Sequence, residues 1–286
     1  MTLAFAFAIV TGVCFGLQGA YGRALGGRYP ASYLTWVTFA GSMPYLVTLA
    51  VIQGIPDVQW GDFAWSTAVS FLVNMVAFNL YFRALAASPL YLSMPFTAFT
   101  PLFLIPVAWV LLDELPGPLA VVGILLVFAG GYGIHLRGGN PLRPLVNLVR
   151  EPGTRYMLIA ALIWSISATV EKVAVRSSSP SFYAVSIGAL LTLGYGAVVL
   201  LRHRTRLRGW MGDWRPPLIL GAITGVMALS QFTALLSLPV SIVIAFKRAG
   251  VIVSVLVGYW AFGEERIGQN LAMTLVIVAG VALIMW

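Results

Sequence analysis

Residues 63–112 read FAWSTAVSFLVNMVAFNLYFRALAASPLYLSMPFTAFTPLFLIPVAWVLL, with Arg83 the single charge in the stretch. A helix crosses the hydrocarbon of a bilayer in about 20 apolar residues, so this run holds two crossings and must reverse between them. Pro89 marks the reversal: it has no N–H to donate and pushes Ser88 out of helical geometry. Two antiparallel spans are predicted, Phe63–Ala86 and Leu90–Leu112. The arrangement returns 150 residues later. Ala84, Leu85 and Pro89 fall on Ala234, Leu235 and Pro239, flanked by predicted spans Pro217–Leu236 and Val240–Phe262.

The same offset brings Tyr33 onto Tyr183, Phe96 onto Phe246, Glu114 onto Glu264 and Ala129-Gly130 onto Ala279-Gly280; with one residue gapped, Phe15 and Arg23 meet Trp164 and Lys172. The remaining apolar runs are Leu3–Tyr21, Ala31–Ile52, Leu119–His135, Tyr156–Val175, Phe182–Leu201 and Ile267–Trp286. The expected fold is an all-α integral membrane protein of ten transmembrane helices. Residues 1–136 form one five-helix repeat, 137–154 a connecting loop and 155–286 the second repeat. An odd number of spans per repeat makes the second enter from the opposite side, which gives an inverted repeat. Such repeats place a substrate site near the midplane and alternate its access by rocking one half against the other.

Composition agrees. Of 286 residues 60% are hydrophobic and 9% charged, against roughly a quarter charged in soluble domains. The net charge of +8 does not imply nucleic acid, because the arginines sit in short loops between apolar runs. Thirteen flank the odd-numbered loops, among them Arg23, Arg28, Arg83, Arg202, Arg204 and Arg215, while the opposite side holds Lys172 and Arg176. Positive loops stay cytoplasmic, so both termini are expected outside. The first span has no basic segment before it and is expected to be a retained helix, not a signal peptide. A lone cysteine, Cys14, excludes an intramolecular disulfide.

Each half ends in an acidic turn followed by a helix carrying Ala-Gly: Leu112-Asp113-Glu114-Leu115 before Ala129-Gly130, and Phe262-Gly263-Glu264-Glu265 before Ala279-Gly280. Two five-helix repeats with this pattern resemble the EamA-type drug/metabolite transporters, with Asp113 where the family favours Gly. The resemblance covers nearly the whole chain and is strongest to bacterial exporters of aromatic and other neutral amino acids. It implies a multi-pass protein of the bacterial inner membrane, not an enzyme, with helices 1, 3, 4 and 6, 8, 9 around a central cavity.

The candidate substrate-binding residues follow. Lys247 and Arg248 lie about 10 Å inside their span at 1.5 Å per residue, a depth at which a charge costs about 2.5–3.5 kcal/mol on insertion scales; they are expected to bind a substrate carboxylate. Asn74, Phe78 and Tyr81 share one helical face, with Asn79 beside it and Gln231 the repeat mate of Tyr81. Gln18, Trp164, Met94 and Phe99 complete the set. Gly12-Gly16 and Gly221-Gly225 have the spacing of close helix crossings. Glu114 and Glu264 are expected to cap the helices that follow them. No carboxylate is expected at depth, Glu171 included, so transport is expected without ion coupling through one. No metal cluster, phosphate loop or cofactor site is expected. The partners are a small-molecule substrate and the lipid bilayer, with a monomer or homodimer as the assembly. The alternatives are a carrier of nucleotide sugars or sugar phosphates, which should show several converging basic residues at depth, a membrane-embedded transferase, which needs an acidic cluster, and a non-transporting partner of an enzyme complex.

Overall fold

The computed structural model describes residues 2–133, 151–262 and single helical positions between 272 and 283. All described elements are helices: α1 (Thr2–Gly26), α2 (Ala31–Gln53), α3 (Trp60–Ala87), α4 (Leu90–Ser93), a 3-10 segment (Met94–Phe99), α5 (Thr100–Leu112), α6 (Pro118–Gly133), α7 (Pro152–Arg176), α8 (Pro180–Met211), α9 (Arg215–Ser237), α10 (Val240–Ala249) and α11 (Val251–Phe262). Each of the first nine predicted spans is helical over its described residues. The stretch 137–150 of the connecting loop, Glu264 and most of Ile267–Trp286 lie outside the described residues.

Prolines set the breaks. Pro30, Pro89 and Pro239 occupy the positions just before α2, α4 and α10, and Ser179 caps α8 by accepting from the Phe182 N–H at 3.2 Å. The predicted fourth span is not one α-helix. Pro95 and Pro101 each remove a backbone donor, and residues 94–99 wind as 3-10 instead. The ninth span is interrupted at the matching place, where Gly250 separates α10 from α11. Helix α8 runs past the predicted Leu201, through a kink at His203 (φ −133°), so the arginines that follow are helical. Asp113 ends α5 in the left-handed region (φ 53°). Gly adopts that conformation freely and Asp tolerates it.

Polarity is arranged for lipid. Leu3, Val51, Ile52, Val110, Leu193 and Leu201 are exposed, whereas Gln18, Asn74, Gln231, Lys172 and Arg248 are buried. Helices in hydrocarbon gain nothing by hiding Leu and associate through small residues and polar contacts. Across the halves α3 packs on α7, α1 on α9, α2 on α8, α1 on α10 and α11, and α5 on α7. Exchanging the two repeats maps this set onto itself, as an inverted repeat requires.

Backbones come together where α2 crosses α9, at Gly41 and Gly221, and at two further crossings. In α6, a Cβ on Gly130 would lie 2.8 Å from the Met273 carbonyl oxygen, and one on Gly280 would lie 2.6 Å from that of Gly123. The Ala-Gly of each repeat is therefore where the fifth and tenth spans cross. At the second crossing a Cβ on Gly250 would collide with the Gly12 carbonyl. Backbone cannot yield as a side-chain tip does, so Gly250→Ala is expected to force α1 from α10, at about 1–3 kcal/mol for overpacking. A thermal midpoint in detergent lowered by several degrees is the expected result; an unchanged midpoint would show that the crossing relaxes freely.

Candidate functional site

A small cavity, of about 50 Å³, lies between the halves. Helix α2 contributes Phe39 and Leu46, α3 Asn74 and Phe78, α7 Glu171, α9 Thr224 and Gln231, and α10 Lys247. Its walls are mainly apolar, and four of its polar residues, Asn74, Glu171, Gln231 and Lys247, form one chain with Ser167. Lys247 Nζ donates to Gln231 Oε1 at 2.7 Å. The same amide donates from Nε2 to Glu171 Oε2 at 2.9 Å. Ser167, one turn earlier on α7, donates to Glu171 Oε1 at 2.8 Å. Asn74 Nδ2 donates to Ser167 at 2.6 Å and reaches Glu171 at 3.3 Å. Asn74 Oδ1, fully buried, accepts nothing among the described residues. A cation and a carboxylate thus face one cavity with a single amide between them.

Arg248 points elsewhere, as adjacent helical residues must, about 100° apart. Its guanidinium carbon lies 4.7 Å from the ring centres of both Phe15 and Trp164. Tyr81 and Phe78 pack on Trp164, at 5.3 and 5.4 Å between centroids, extending the aromatic layer. Arg248 is 2% exposed, yet among the described residues its Nε and Nη1 have no hydrogen-bond partner, and neither do the Tyr81 hydroxyl and Gln18 Oε1. Both cations occupy the last turn of α10, where the negative end of the helix dipole offsets part of their burial. The break at Gly250 brings that helix end to the depth of the cavity.

The residues expected from sequence divide into three groups. Lys247, Asn74, Phe78 and Gln231 line the cavity. Arg248, Tyr81, Trp164 and Gln18 form the adjacent aromatic layer and its polar fringe; Gln18 Nε2 donates to Thr224, a cavity residue, at 2.7 Å. The rest lie apart. Met94 packs against Gly19, Phe99 stacks among Phe96, Phe103 and Phe128 on the α6 side, and Asn79 adjoins Tyr195 of α8.

Glu171 overturns the expectation that no carboxylate lies at depth. It is 9% exposed and bonded by Ser167 and Gln231. Read from sequence it sits five residues from the helix end, where carboxylates normally meet the headgroups. The end of α7 is instead held in protein. Lys172 Nζ pairs with Glu114 at 2.7 Å and donates to the Leu238 carbonyl at 2.7 Å, and Arg176 reaches Glu114 at 3.2 Å. Trp164, Ser167 and Glu171, at i, i+3 and i+7, form the helical face that would have revealed it.

Glu114 is a cap, though not of the helix that follows it: it accepts from the backbone N–H of Val240 at 3.3 Å, at the start of α10 in the other half. At the opposite end, Asp213 joins the halves more loosely, taking a hydrogen bond from the Tyr29 hydroxyl at 3.2 Å and an ion pair from Arg28 at 3.5 Å.

The model of the EamA-like transporter family matches the chain twice, over residues 2–136 and 152–286. No curated protein sequence matches it significantly. A solved crystal structure superposes with a TM-score of 0.72 over 99% of this chain and 96% of that one, at 18% identity, a likeness of fold. Two family matches, one on each inverted half and together spanning nearly the whole sequence, make this multi-pass membrane protein a member of the EamA-like transporter family.

Proposed function

We propose that this transporter exports neutral amino acids, aromatic ones among them, across a bacterial inner membrane by alternating access around the cavity between its halves. The observation that carries the reading is Lys247: a cation at the depth of the cavity, among walls that include Phe39, Phe78 and Phe232. One cation suits one carboxylate, and the apolar walls suit an uncharged side chain. A diphosphate would need several basic residues converging on the same space, and Lys247 is the one basic residue among those lining it. Both termini lie outside the cytoplasm, as the arginine-rich loops require.

The test is counterflow in proteoliposomes loaded with unlabelled substrate, using a panel of labelled amino acids, nucleotide sugars and sugar phosphates. Accumulation of phenylalanine or another neutral amino acid in counterflow is the expected result. Accumulation of the phosphorylated compounds alone would replace this reading with the anion-carrier one.

A further inference from the structure

We propose that Glu171 holds the α-ammonium group of a zwitterionic substrate whose carboxylate is taken by Lys247, the Gln231 amide occupying that place between substrates. The proposal rests on the amino-acid reading above and names the half of the substrate that reading leaves unbound. Gln231 presents an acceptor to Lys247 and a donor to Glu171. An amino acid presents the same two faces: its carboxylate oxygen accepts and its ammonium donates. One carbon separates acceptor from donor in the amide and two in the amino acid, so the zwitterion spans the pair with a small outward movement of either side chain.

A second observation favours an ammonium. Asn74 Oδ1 is a buried acceptor without a partner among the described residues, on a residue whose amide nitrogen already contacts Glu171. An ammonium carries three donors, and Glu171 with Asn74 Oδ1 supplies acceptors for them. Ser167 holds the other carboxylate oxygen at 2.8 Å, which leaves the Gln231-facing oxygen free once the amide withdraws. Charge balance points the same way. Glu171 and Lys247 neutralise one another through Gln231, and a zwitterion inserted between them adds no net charge. A desamino acid would take Lys247 and leave a buried carboxylate unopposed, which is strongly unfavourable.

The experiment measures competition against counterflow of labelled L-phenylalanine by L-phenylalanine, 3-phenylpropionate and L-phenylalaninamide, in the native protein and in Glu171→Gln. In the native protein 3-phenylpropionate is expected to compete about ten- to hundredfold more weakly than phenylalanine, the value of one charge-assisted hydrogen bond. Glu171→Gln should weaken phenylalanine and phenylalaninamide by that factor and strengthen 3-phenylpropionate, because no buried carboxylate is then left unopposed. Equal competition by phenylalanine and 3-phenylpropionate in the native protein overturns the proposal, with no variant needed. So does a Glu171→Gln protein that weakens all three alike, or one that keeps its affinity for phenylalanine and loses a dependence on the pH gradient, since the carboxylate would then carry a proton. If the native protein moves no neutral amino acid, the parent reading has failed, a result visible before any variant is made.

Discussion

Arg248→Met is expected to leave the protein at least as stable as the native chain and to lower transport less than Lys247→Met, since Lys247 and not Arg248 lines the cavity. Arg248 is 2% exposed and its Nε and Nη1 are unpaired among the described residues. Each buried unpaired donor costs about 1–3 kcal/mol, more on a charged group. The contacts with Phe15 and Trp164 return about 2 kcal/mol for a desolvated cation over a ring. Met keeps the stem, and its sulfur also sits well against aromatic rings. The balance therefore favours Met. Lys247→Met should behave in the opposite way. Lys247 is tied through Gln231 to Glu171, and removing it leaves a buried carboxylate without its cation. Two adjacent residues of the same charge thus have opposite expected effects on the thermal midpoint, measured in detergent beside transport in proteoliposomes. An Arg248→Met protein that melts several degrees lower would make Arg248 a packing element, and one that loses transport as fully as Lys247→Met would place Arg248 in the anion contact.

This asymmetry also shows what the sequence could convey. Hydropathy and the two proline breaks carry the topology, because crossing a bilayer depends on run length and backbone donors, both of which are local. Lys247 and Arg248 stand out for a local reason too, as charges far inside an apolar run. Which of them faces the cavity depends on how α10 packs against α1 and α7, and that is written nowhere near residue 247. Glu171 is hidden for a related reason. By its distance from the span end it belongs with the headgroups. What keeps it in protein is Glu114 on Lys172 and Arg176, about 60 residues away along the chain, with Gln231 as far off in the other direction. The 3-10 turn at residues 94–99 was half legible: Pro95 and Pro101 announce irregular backbone, and the winding they produce comes from the neighbours that accept it.

The largest loss of stability is expected from Glu114→Ala. Glu114 joins the halves at the end opposite the arginine-rich loops, accepting from Lys172, Arg176 and the Val240 N–H. The Lys172 side chain is 2% exposed and that of Glu114 17%, so the variant strands a buried ammonium with the Leu238 carbonyl as its remaining described partner. Removing one member of a buried pair costs about 3–5 kcal/mol; the partial exposure of Glu114 puts the expected loss near the lower figure. The Asp213 bridge at the other end pairs with an Arg28 side chain that is 70% exposed, a setting in which an ion pair is worth about 0–1 kcal/mol. The two ends are therefore held unequally, and Asp213→Asn should move the thermal midpoint little. The cause of the Glu114→Ala loss can be isolated by adding Lys172→Met. If the cost is the stranded charge, the double variant recovers most of the lost midpoint, with a coupling within the range of about 0.5–3 kcal/mol seen for neighbouring residues. Recovery should persist in high salt, since buried pairs are screened far less than exposed ones. A double variant that melts as low as Glu114→Ala alone would assign the loss to the uncapped start of α10, and with it the tie between the halves to the Val240 N–H.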